Sequence, residues 1–373
     1  MKKNIAILES NILGTNTIRR RLASFLMEKG YNVTILAKGT EDEINLARSR
    51  GFDVIDLKAS NQKISGIFQY LRNIKRALKK VDADICLTFT IRSAIWGNIV
   101  TRQLKIPTIT SITGIGPLFE SNHFTYKAAR IFYKFILRKT DKVFFQNTTD
   151  MKLFVDKKFV LPSKAALVPG SGIEFEYYKH IPLIKENNKI IYLFISRLIK
   201  DKGISEFVEA ARILGNQLPD AEFHVVGPLW AQNLKHNIVT QKEIDEWTNE
   251  GLIKYLGYAD DVRPFIAAAD CIVLPSYREG LSNVLLEAGS MEKPCITCDV
   301  PGCNDIVIDN VTGFLCKAKN SEDLAQKIQK MNSLSDQERQ QMGVLARERI
   351  KNKFDKKIVL NTYLNAIENI SKN

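Results

Sequence analysis

The stretch Pro275-Ser-Tyr-Arg-Glu-Gly-Leu-Ser-Asn-Val-Leu-Leu-Glu287 decides how the second half of this 373-residue chain is expected to fold. It follows Cys271–Leu274, a short apolar run that is typical of a buried strand. A proline and a glycine then interrupt the apolar pattern, and helical periodicity begins at about Ser282. We therefore predict Glu279 on a loop at the carboxyl end of a strand and Glu287 on the following helix. In open α/β sheets, that edge is where ligands bind.

Backbone amides in this loop are candidate contacts for an anion. The first amides of a helix have no partner within the helix, and the helix dipole favours negative charge beside them. A diphosphate is an anion that suits such a site. The candidate anion-binding residues at this position are Gly280, Leu281, Ser282 and Asn283.

A chain of this length is expected to form two domains. Its content of 45% hydrophobic and 25% charged residues is ordinary for a soluble globular protein.

The positive charge of the chain is concentrated in its first half. Residues 1–180 carry 30 Lys and Arg against 15 Asp and Glu, a net charge of +15, whereas the remainder carries 24 against 26, a net charge of −2. A cation-rich half suits nucleic acid, an anionic membrane surface or a phosphorylated substrate.

The cysteines raise the question of a metal site. Cys295, Cys298 and Cys303 have a spacing that zinc could use, but no fourth ligand lies near them in sequence, and the four histidines are scattered. The cysteines also fall on a predicted strand and its loop. We therefore expect no bound metal and a reduced, cytoplasmic chain.

The apolar segments are all short. None approaches the 18 or so consecutive apolar residues of a spanning helix. The first residues of the chain, two lysines and a very short apolar run, are predicted to form a strand and not a signal peptide. Strand-like runs alternate with helical ones along both halves, which predicts βαβ units and parallel sheets.

A helix predicted over residues 126–139 carries a basic stripe. Aromatic and aliphatic residues, Phe132 and Phe135 among them, surround the stripe. This combination suits the interface of an anionic bilayer. The alternative is a buried helix whose solvated face is rich in lysine. The stripe consists of four residues at spacings of three and four, Lys127, Arg130, Lys134 and Arg138.

The spacing of the two glutamates resembles a known signature. Glu279 and Glu287, with Gly-Leu-Ser-Asn after the first, resemble the E-x7-E motif of retaining glycosyltransferases of the GT-B fold, above all glycosyltransferase family 4. In that family the first glutamate approaches the donor sugar, and the second binds the ribose hydroxyls of the sugar nucleotide. The resemblance therefore implies these roles for Glu279 and Glu287.

A second pair of residues matches the same family. Arg197 and Lys202 bracket the loop after the predicted strand Ile190–Ile195. They match the Arg and Lys with which the family holds the donor diphosphate, although two charges in an ordinary polar loop would look the same. Tyr258 lies in a segment that resembles the one against the nucleotide base. Gly227, at the end of another strand, is a further donor-binding candidate.

The first half resembles the family by topology and by the loop Thr113-Gly-Ile-Gly. In many members this loop carries a histidine that faces the donor sugar, and Thr113 occupies that position here. With this departure the chain more resembles the subset of the family that acts on polyprenyl-diphosphate-linked sugars. The candidate acceptor-side residues are Gly14, Thr113 and Gly114.

The resemblance implies the GT-B fold, with two facing doubly wound, Rossmann-like parallel-sheet domains and a cleft between them. We place an N-terminal, acceptor- and membrane-facing domain at residues 1–180 and a C-terminal domain that binds the sugar nucleotide at residues 188–352. The last segment, residues 353–373, is predicted as a helix that could pack back on the first domain.

The resemblance also implies a retaining glycosyltransferase for O-antigen or capsule-type glycans. We expect transfer of a sugar, an N-acetylhexosamine in our interpretation, from a UDP-sugar to an undecaprenyl-diphosphate-linked saccharide. Arg197 and Lys202 would neutralise the departing diphosphate, so neither a metal nor another cofactor is expected. The protein is predicted to be cytoplasmic and peripherally associated with the inner face of the cell membrane.

Two alternatives share the same fold. One is an epimerase that acts on a sugar nucleotide without an acceptor, and turnover without acceptor lipid would favour it. The other is a protein that binds a sugar nucleotide without turnover, against which the presence of Glu279, Arg197 and Lys202 argues. A nucleic-acid-binding protein would explain the charge, but no recognised motif of that class is found in the sequence, so we expect no nucleic-acid partner.

Overall fold

The computed structural model describes residues 3–58, 64–115, 124–182, 189–229 and 237–372, with side chains for all of these except 64–65, 124–129, 216 and 372. The chain divides into two compact units, residues 1–171 with 357–373 and residues 172–356. Each unit is built on one parallel sheet, which confirms the predicted pair of doubly wound, Rossmann-like α/β folds.

In the described residues, the sheet of the first unit has seven parallel strands in the order β3-β2-β1-β4-β5-β6-β7. Its central strands are apolar on both faces because helices cover both sides of the sheet. All five residues of Ile85–Phe89, for example, are buried. The strands are β1 Asn4–Leu8, β2 Asn32–Ala37, β3 Asp53–Asp56, β4 Ile85–Phe89, β5 Thr108–Ile112, β6 Lys142–Phe145 and β7 Ala165–Leu167.

The helices between these strands begin where local signals predict. Thr40 caps one of them through a capping box with Glu43, whose backbone amide and side chain exchange hydrogen bonds with the cap. The helices are α1 Leu13–Asn16, α2 Arg20–Glu28, α3 Glu41–Ser49, α4 Ile64–Lys80, α5 Thr90–Leu104, α6 Phe124–Leu137 and α7 Thr148–Asp156. Throughout the described part of the chain, no helix has both the length and the hydropathy to cross a bilayer.

The second unit repeats this plan with six parallel strands among its described residues, in the order β10-β9-β8-β11-β12-β13. The strands are β8 Ile190–Ile195, β9 Ala221–Val226, β10 Lys254–Tyr255, β11 Cys271–Leu274, β12 Cys295–Cys298 and β13 Gly313–Cys316. The helices are α8 Ile204–Leu214, α9 Gln241–Asn249, α10 Arg263–Ala268, α11 Asn283–Ser290, α12 Ser321–Asn332 and α13 Asp336–Phe354.

The last helix, α14 Lys356–Lys372, belongs to the first unit. Its buried residues Val359 and Leu360 join the core that covers one face of the first sheet. The hydroxyl groups of Tyr363 and Ser111, the latter on β5, lie 2.5 Å apart. The end of the chain therefore completes the core of the unit in which the chain begins.

The strand order reverses once in each sheet, between β1 and β4 and between β8 and β11. At such a point the loops that follow the two neighbouring strands run to opposite faces of the sheet, which leaves a crevice at the carboxyl edge. The predicted catalytic and donor-binding residues of the second unit follow β8, β9, β10 and β11.

The observed elements differ from the predicted ones mainly at their ends. The helix predicted over residues 126–139 is Phe124–Leu137, and the helix predicted to begin at about Ser282 begins one residue later. The sequence did not predict β13, a four-residue strand that follows a turn. Gly14, one of the predicted acceptor-side residues, lies in the short helix α1.

Candidate donor-binding site

The loops that follow β8 and β11 meet where the strand order of the second sheet reverses. The amide of Tyr277 donates a hydrogen bond to the carbonyl of Asp201 across the two loops, at 2.9 Å. Gly203 has a φ of +77°, and a Cβ there would lie 2.1 Å from the carbonyl oxygen of Pro275. Glycine at position 203 therefore permits the close packing that brings the side chains of the two loops together.

Lys202 and Glu279 form an ion pair at this junction. The ammonium of Lys202 lies 2.5 Å from Glu279 Oε1, and the hydroxyl of Ser276 donates to the same oxygen at 2.9 Å. Only 16% of the Lys202 side chain and 13% of the Glu279 side chain are exposed. Because the pair is largely removed from water, its charges act more strongly on a neighbouring group than surface charges do.

The backbone of Glu279 is held by the loop after β12. Its amide donates to the carbonyl of Pro301 at 3.2 Å. Gly302 has a φ of +81°, and a Cβ there would lie 2.5 Å from the carbonyl oxygen of Glu279. The amide of Gly302 donates in turn to Asp305, at 2.9 Å. Three loops, after β8, β11 and β12, thus fix the position of the Glu279 carboxylate.

Arg197 lies on the same loop as Lys202, and its side chain is exposed. The two residues that follow it, Leu198 and Ile199, are buried, and the amide of Leu198 donates to the carbonyl of Pro228 at 3.0 Å. On the preceding side, the amide of Ser196 donates to the carbonyl of Val226 at 3.1 Å, so the loop is anchored on both sides of the arginine. It places one solvent-facing cation and one partly buried cation at the carboxyl edge of the sheet.

Residues 280–283, whose backbone amides were predicted to bind an anion, differ in exposure and in the hydrogen bonds they already make. Ser282 is the N-cap of α11, where its hydroxyl accepts from the amide of Leu285 at 3.4 Å. Its own amide donates to the carbonyl of Gly302 at 3.1 Å and is thus already used within the protein. The side chain of Leu281 is buried in the core of the unit. The two remaining candidates are partly exposed, Gly280 and Asn283.

Glu287 is held by a tyrosine that the sequence did not single out. The hydroxyl of Tyr178 donates to Glu287 Oε1 at 3.0 Å. Burial raises the pKa of Glu287 to about 7, while the hydrogen bond from Tyr178 acts in the opposite direction. Burial also raises the pKa of Tyr178, so its hydroxyl remains a donor at neutral pH. The two residues are 109 positions apart, and no local pattern connects them.

Gly227 and Tyr258 lie on the loops after β9 and β10. Gly227 has a φ of +147°, and a Cβ there would lie 1.7 Å from the carbonyl oxygen of Ser196. Its amide donates to the carbonyl of Gly257 at 2.9 Å. Tyr258 is 64% exposed, and its hydroxyl donates to Asp260 at 2.6 Å. Gly227 thus has a packing role, whereas Tyr258 presents an accessible ring.

In the first unit, Gly14 packs against a buried ion pair at the end of β1. A Cβ at Gly14 would lie 1.9 Å from Glu9 Oε2. Arg19 donates to that oxygen at 3.2 Å, and the hydroxyl of Thr15 donates to the other carboxylate oxygen at 2.8 Å. Burial raises the pKa of Glu9, against the opposing effect of Arg19. Gly14 was predicted from the sequence, whereas the neighbouring Glu9 carboxylate, which explains why a glycine is needed there, was not.

Hydroxyl groups cluster at the reversal point of the first sheet. The hydroxyl of Ser10 lies 3.0 Å from that of Thr90 and 3.1 Å from that of Ser93. Thr90 has a φ of +71°, which is strained for a β-branched residue and is often a sign of a functional position. The predicted acceptor-side residues Thr113 and Gly114 directly follow β5 and are partly exposed, and Gly114 has a φ of +140°.

Helix α6 presents an apolar surface among its basic residues. Ile131 is 72% exposed, Phe132 46% and Phe135 60%, whereas Tyr133, Ile136 and Leu137 of the same helix are buried. Of the predicted stripe, Arg138 is exposed and Arg130 and Lys134 are partly exposed; the side chain of Lys127 lies outside the described residues. A helix face that only contacts water would not be expected to carry a group of exposed apolar side chains between its cations.

Two sequence families match this chain. Residues 179–349 match the family described as "Glycosyl transferases group 1", and residues 12–147 match the family described as "Glycosyl transferase 4-like". The group 1 match lies within the second parallel-sheet unit, and the 4-like match lies within the first. The group 1 match contains Arg197, Lys202, Glu279 and Glu287.

Two curated relatives cover different shares of the chain. The UDP-Gal:alpha-D-GlcNAc-diphosphoundecaprenol alpha-1,3-galactosyltransferase of Escherichia coli is 28% identical over 66% of this chain and 65% of its own length, so the chain spans just under two thirds of that protein. The N,N'-diacetylbacillosaminyl-diphospho-undecaprenol alpha-1,3-N-acetylgalactosaminyltransferase of Campylobacter jejuni is 24% identical over 87% of this chain and 88% of its own length.

The fold matches that of a solved glycosyltransferase from Rickettsia africae. The TM-score is 0.82 at 20% sequence identity, over 100% of this chain and 99% of that one. At this identity the match shows a shared fold, and it agrees with the GT-B architecture expected from the sequence.

Proposed function

The chain belongs to the glycosyltransferases, with a glycosyl transferase 4-like domain followed by a group 1 domain, and from this premise we propose that it transfers a sugar from a UDP-sugar to an undecaprenyl-diphosphate-linked saccharide. The observation that carries the proposal is the Lys202–Glu279 ion pair at the reversal point of the second sheet. The names of the two curated relatives support the choice of acceptor, and that of the E. coli protein supports a UDP-activated donor.

In the proposed reaction, Arg197 and Lys202 stabilise the leaving diphosphate. Breaking the bond between the anomeric carbon and the phosphate oxygen places additional negative charge on that oxygen. Two cations at fixed positions favour the state in which this charge has developed, and such electrostatic stabilisation is commonly the largest catalytic contribution. The Glu279 carboxylate lies beside Lys202 and would favour the positive charge that develops on the sugar ring.

We propose that the reaction retains the anomeric configuration. The acceptor oxygen would attack on the face that the diphosphate leaves, and the acceptor proton would pass to the departing phosphate oxygen. This route needs no second carboxylate as a nucleophile. The donor is proposed to carry an N-acetylhexosamine, and the product would serve cell-surface glycan assembly.

The proposed activity can be tested with purified protein. UDP-GalNAc, UDP-GlcNAc and UDP-Gal are each incubated with a polyprenyl-diphosphate-linked sugar, and the lipid product is analysed by mass spectrometry. A product one sugar heavier, with an α linkage by NMR, is expected with one of the donors. Conversion of the sugar nucleotide without an acceptor would instead indicate an epimerase, and binding without any conversion would indicate a non-catalytic protein.

Activity is expected to survive metal chelation. Lys202 and Arg197 supply the positive charge that a divalent cation supplies in other transferases. Transfer rates measured with and without excess EDTA should agree within error. Restoration of a lost rate by added magnesium or manganese would contradict the proposed role of the two cations.

UDP affinity is expected to fall as the pH drops through about 7. Glu287 would accept hydrogen bonds from ribose hydroxyls as a carboxylate, and burial raises its pKa to about 7, so protonation removes that acceptor. Tyr178→Phe removes the hydrogen bond that lowers this pKa, and it should therefore move the fall in affinity upward by about one pH unit.

Calorimetric titration with UDP between about pH 5.5 and 8.5 checks this expectation. Glu287→Gln is the matched control, since it keeps the size of the side chain but cannot titrate. The terminal phosphate of UDP is protonated at about pH 6 whichever variant is used, so the contribution of Glu287 is the pH dependence that the wild type shows and Glu287→Gln lacks. A wild-type profile in Tyr178→Phe would show that the tyrosine does not act through Glu287.

We also propose that the protein acts at the inner face of the cell membrane and docks there through the exposed face of α6. The exposed Ile131, Phe132 and Phe135 support this location together with the neighbouring cations. A basic helix face with apolar residues at its centre is suited to the boundary between headgroups and acyl chains.

A further inference from the structure

A cavity of about 230 Å³ lies in the first unit, between the carboxyl-terminal ends of α5 and α6 and the start of β5. It is therefore at the amino edge of the sheet, the edge opposite the carboxyl ends of the strands. Ligands of the reaction are expected at the carboxyl edge. This cavity thus has no assigned role in sugar transfer.

Three cations surround the cavity, Arg102, Lys105 and Lys139, and the side chains of all three are exposed. Of the described residues that line it, Asp141 is the one carboxylate, and Asp141 Oδ2 accepts a hydrogen bond from the amide of Thr108 at 2.8 Å. The rim therefore carries a net positive charge, and it suits an anion.

The floor of the cavity is polar and internally bonded. The hydroxyl of Thr140 donates to Asn98 Oδ1 at 2.7 Å, and the amide nitrogen of Asn98 donates to Thr110 Oγ1 at 2.8 Å. These groups have partners already, so they would shape the cavity and leave the recognition of an anion to the cations at its rim. A polar floor also makes the cavity unsuited to an acyl chain.

The cationic rim continues into the apolar face of α6 through Phe135. The guanidinium of Arg102 lies 5.6 Å from the centroid of that ring, and the ammonium of Lys139 lies 5.4 Å from it. Phe135 is 60% exposed, and Ile131 and Phe132 extend the apolar surface along the helix. A ligand with an anionic head and an apolar tail matches both parts at once, whereas a free anion would use only the first.

We propose that this cavity binds the phosphate headgroup of an anionic phospholipid, with the acyl chains beside the exposed face of α6. The inference rests on the proposed membrane docking and adds to it a defined lipid-binding site. The three rim cations would contact the phosphate, and the ring of Phe135 would lie at the level where the headgroup meets the acyl chains.

The test compares two variants that each lose three positive charges from the first unit. The cavity variant is Arg102→Gln/Lys105→Gln/Lys139→Gln. The matched control replaces by glutamine the exposed Lys152, within α7, and the exposed Lys157 and Lys158, which directly follow that helix. Binding to phosphatidylcholine vesicles with and without phosphatidylglycerol is measured by co-sedimentation. We expect the cavity variant to lose affinity for the anionic vesicles roughly 10- to 100-fold and the control to lose only a few-fold.

A second measurement separates a defined site from general attraction between charges. Short-chain phosphatidylglycerol, kept below its micelle-forming concentration, is titrated into each protein and followed by calorimetry. Saturable binding to the wild type and the control, with loss in the cavity variant, is expected. Equal affinity for inorganic phosphate or glycerol phosphate would show an anion site without lipid recognition and would overturn the proposal, as would equal losses in both variants.

Both variants should keep the wild-type melting temperature and the wild-type rate of transfer to a water-soluble acceptor analogue, because neither changes the donor site. Absence of transfer in the wild type would contradict the proposed function and leave the lipid titration interpretable. Loss of lipid binding with normal transfer, conversely, assigns the effect to the cavity. The two proposals can therefore fail separately.

Discussion

Lys202→Ala is expected to lower the rate of sugar transfer about 10²- to 10³-fold, which corresponds to about 3 to 4 kcal/mol of transition-state stabilisation. The ammonium lies at the reversal point of the second sheet, and only 16% of its side chain is exposed. A positive charge in this position acts on the departing diphosphate with little screening by water. Initial rates at saturating donor and acceptor, and donor affinity by calorimetry, measure the loss.

Arg197→Ala should lower the rate in the same direction but by a smaller factor. Its side chain is exposed, so solvent and salt screen its charge more effectively. Lys200→Ala is the matched control, because Lys200 lies on the same loop and pairs with Glu243 at 3.3 Å. This variant should keep the wild-type rate, since its charge is directed to a different partner.

Lys202→Ala also removes the ion pair from Glu279. Among the contacts described above, the Glu279 carboxylate then keeps the hydrogen bond from Ser276. The loss of rate could then arise from a displaced carboxylate. Glu279→Gln and the double variant resolve this, because a double variant no slower than Lys202→Ala would mean that the two residues act as a unit. Wild-type donor affinity and rate in both Lys202→Ala and Arg197→Ala would contradict the assignment of the diphosphate site.

The edge of the sheet at which the site lies could be predicted from the sequence, but the direct contact between its residues could not. In a parallel sheet every strand is followed by a loop at the same edge, so Lys202 and Glu279 were expected on one side although they are 77 positions apart. Which loops are neighbours depends on strand order, and alternation of strands and helices does not determine that order. The adjacency of β8 and β11 makes the ion pair possible.

Contacts that depend on irregular segments were not predictable. Tyr178 lies outside any helix or strand, and no periodicity marks it as a partner of Glu287. For glycines, the position can be predicted but the neighbour cannot. A glycine in the sequence indicates an unusual backbone conformation or a close approach of another group, but it does not identify that group. The structure shows that Gly227 approaches the backbone of Ser196 and that Gly14 approaches the carboxylate of Glu9.

The sequence also left open whether the apolar residues of α6 are buried, since a helix with both basic and aromatic residues can turn either face to the core. The structure places Tyr133 and Leu137 in the core and leaves Phe132 and Phe135 exposed. It also shows that Lys134 lies 5.7 Å from the ring of Phe159, so this cation is partly directed along the protein surface.

Replacement of the stripe residues Lys127, Arg130, Lys134 and Arg138 by glutamine is therefore expected to weaken binding to anionic vesicles by up to about 10³-fold at low salt. Each lysine or arginine near an anionic surface contributes about 1 kcal/mol, so four contribute about 4 kcal/mol. The effect should shrink as salt is raised, because the screening length is about 8 Å at physiological ionic strength. Co-sedimentation over a range of salt concentrations measures both effects.

The apolar residues give the experiment that separates docking from charge attraction alone. Ile131→Ser/Phe135→Ser keeps every charge of α6 but removes two exposed apolar side chains, whose insertion would contribute about 1.5 to 3 kcal/mol each. If α6 inserts at the headgroup boundary, this variant loses affinity for anionic vesicles to an extent that salt does not change, whereas the glutamine variant loses affinity mainly at low salt. Wild-type binding by both variants would show that the exposed face of α6 does not contact the bilayer, and the positive charge of the first unit would then need another partner.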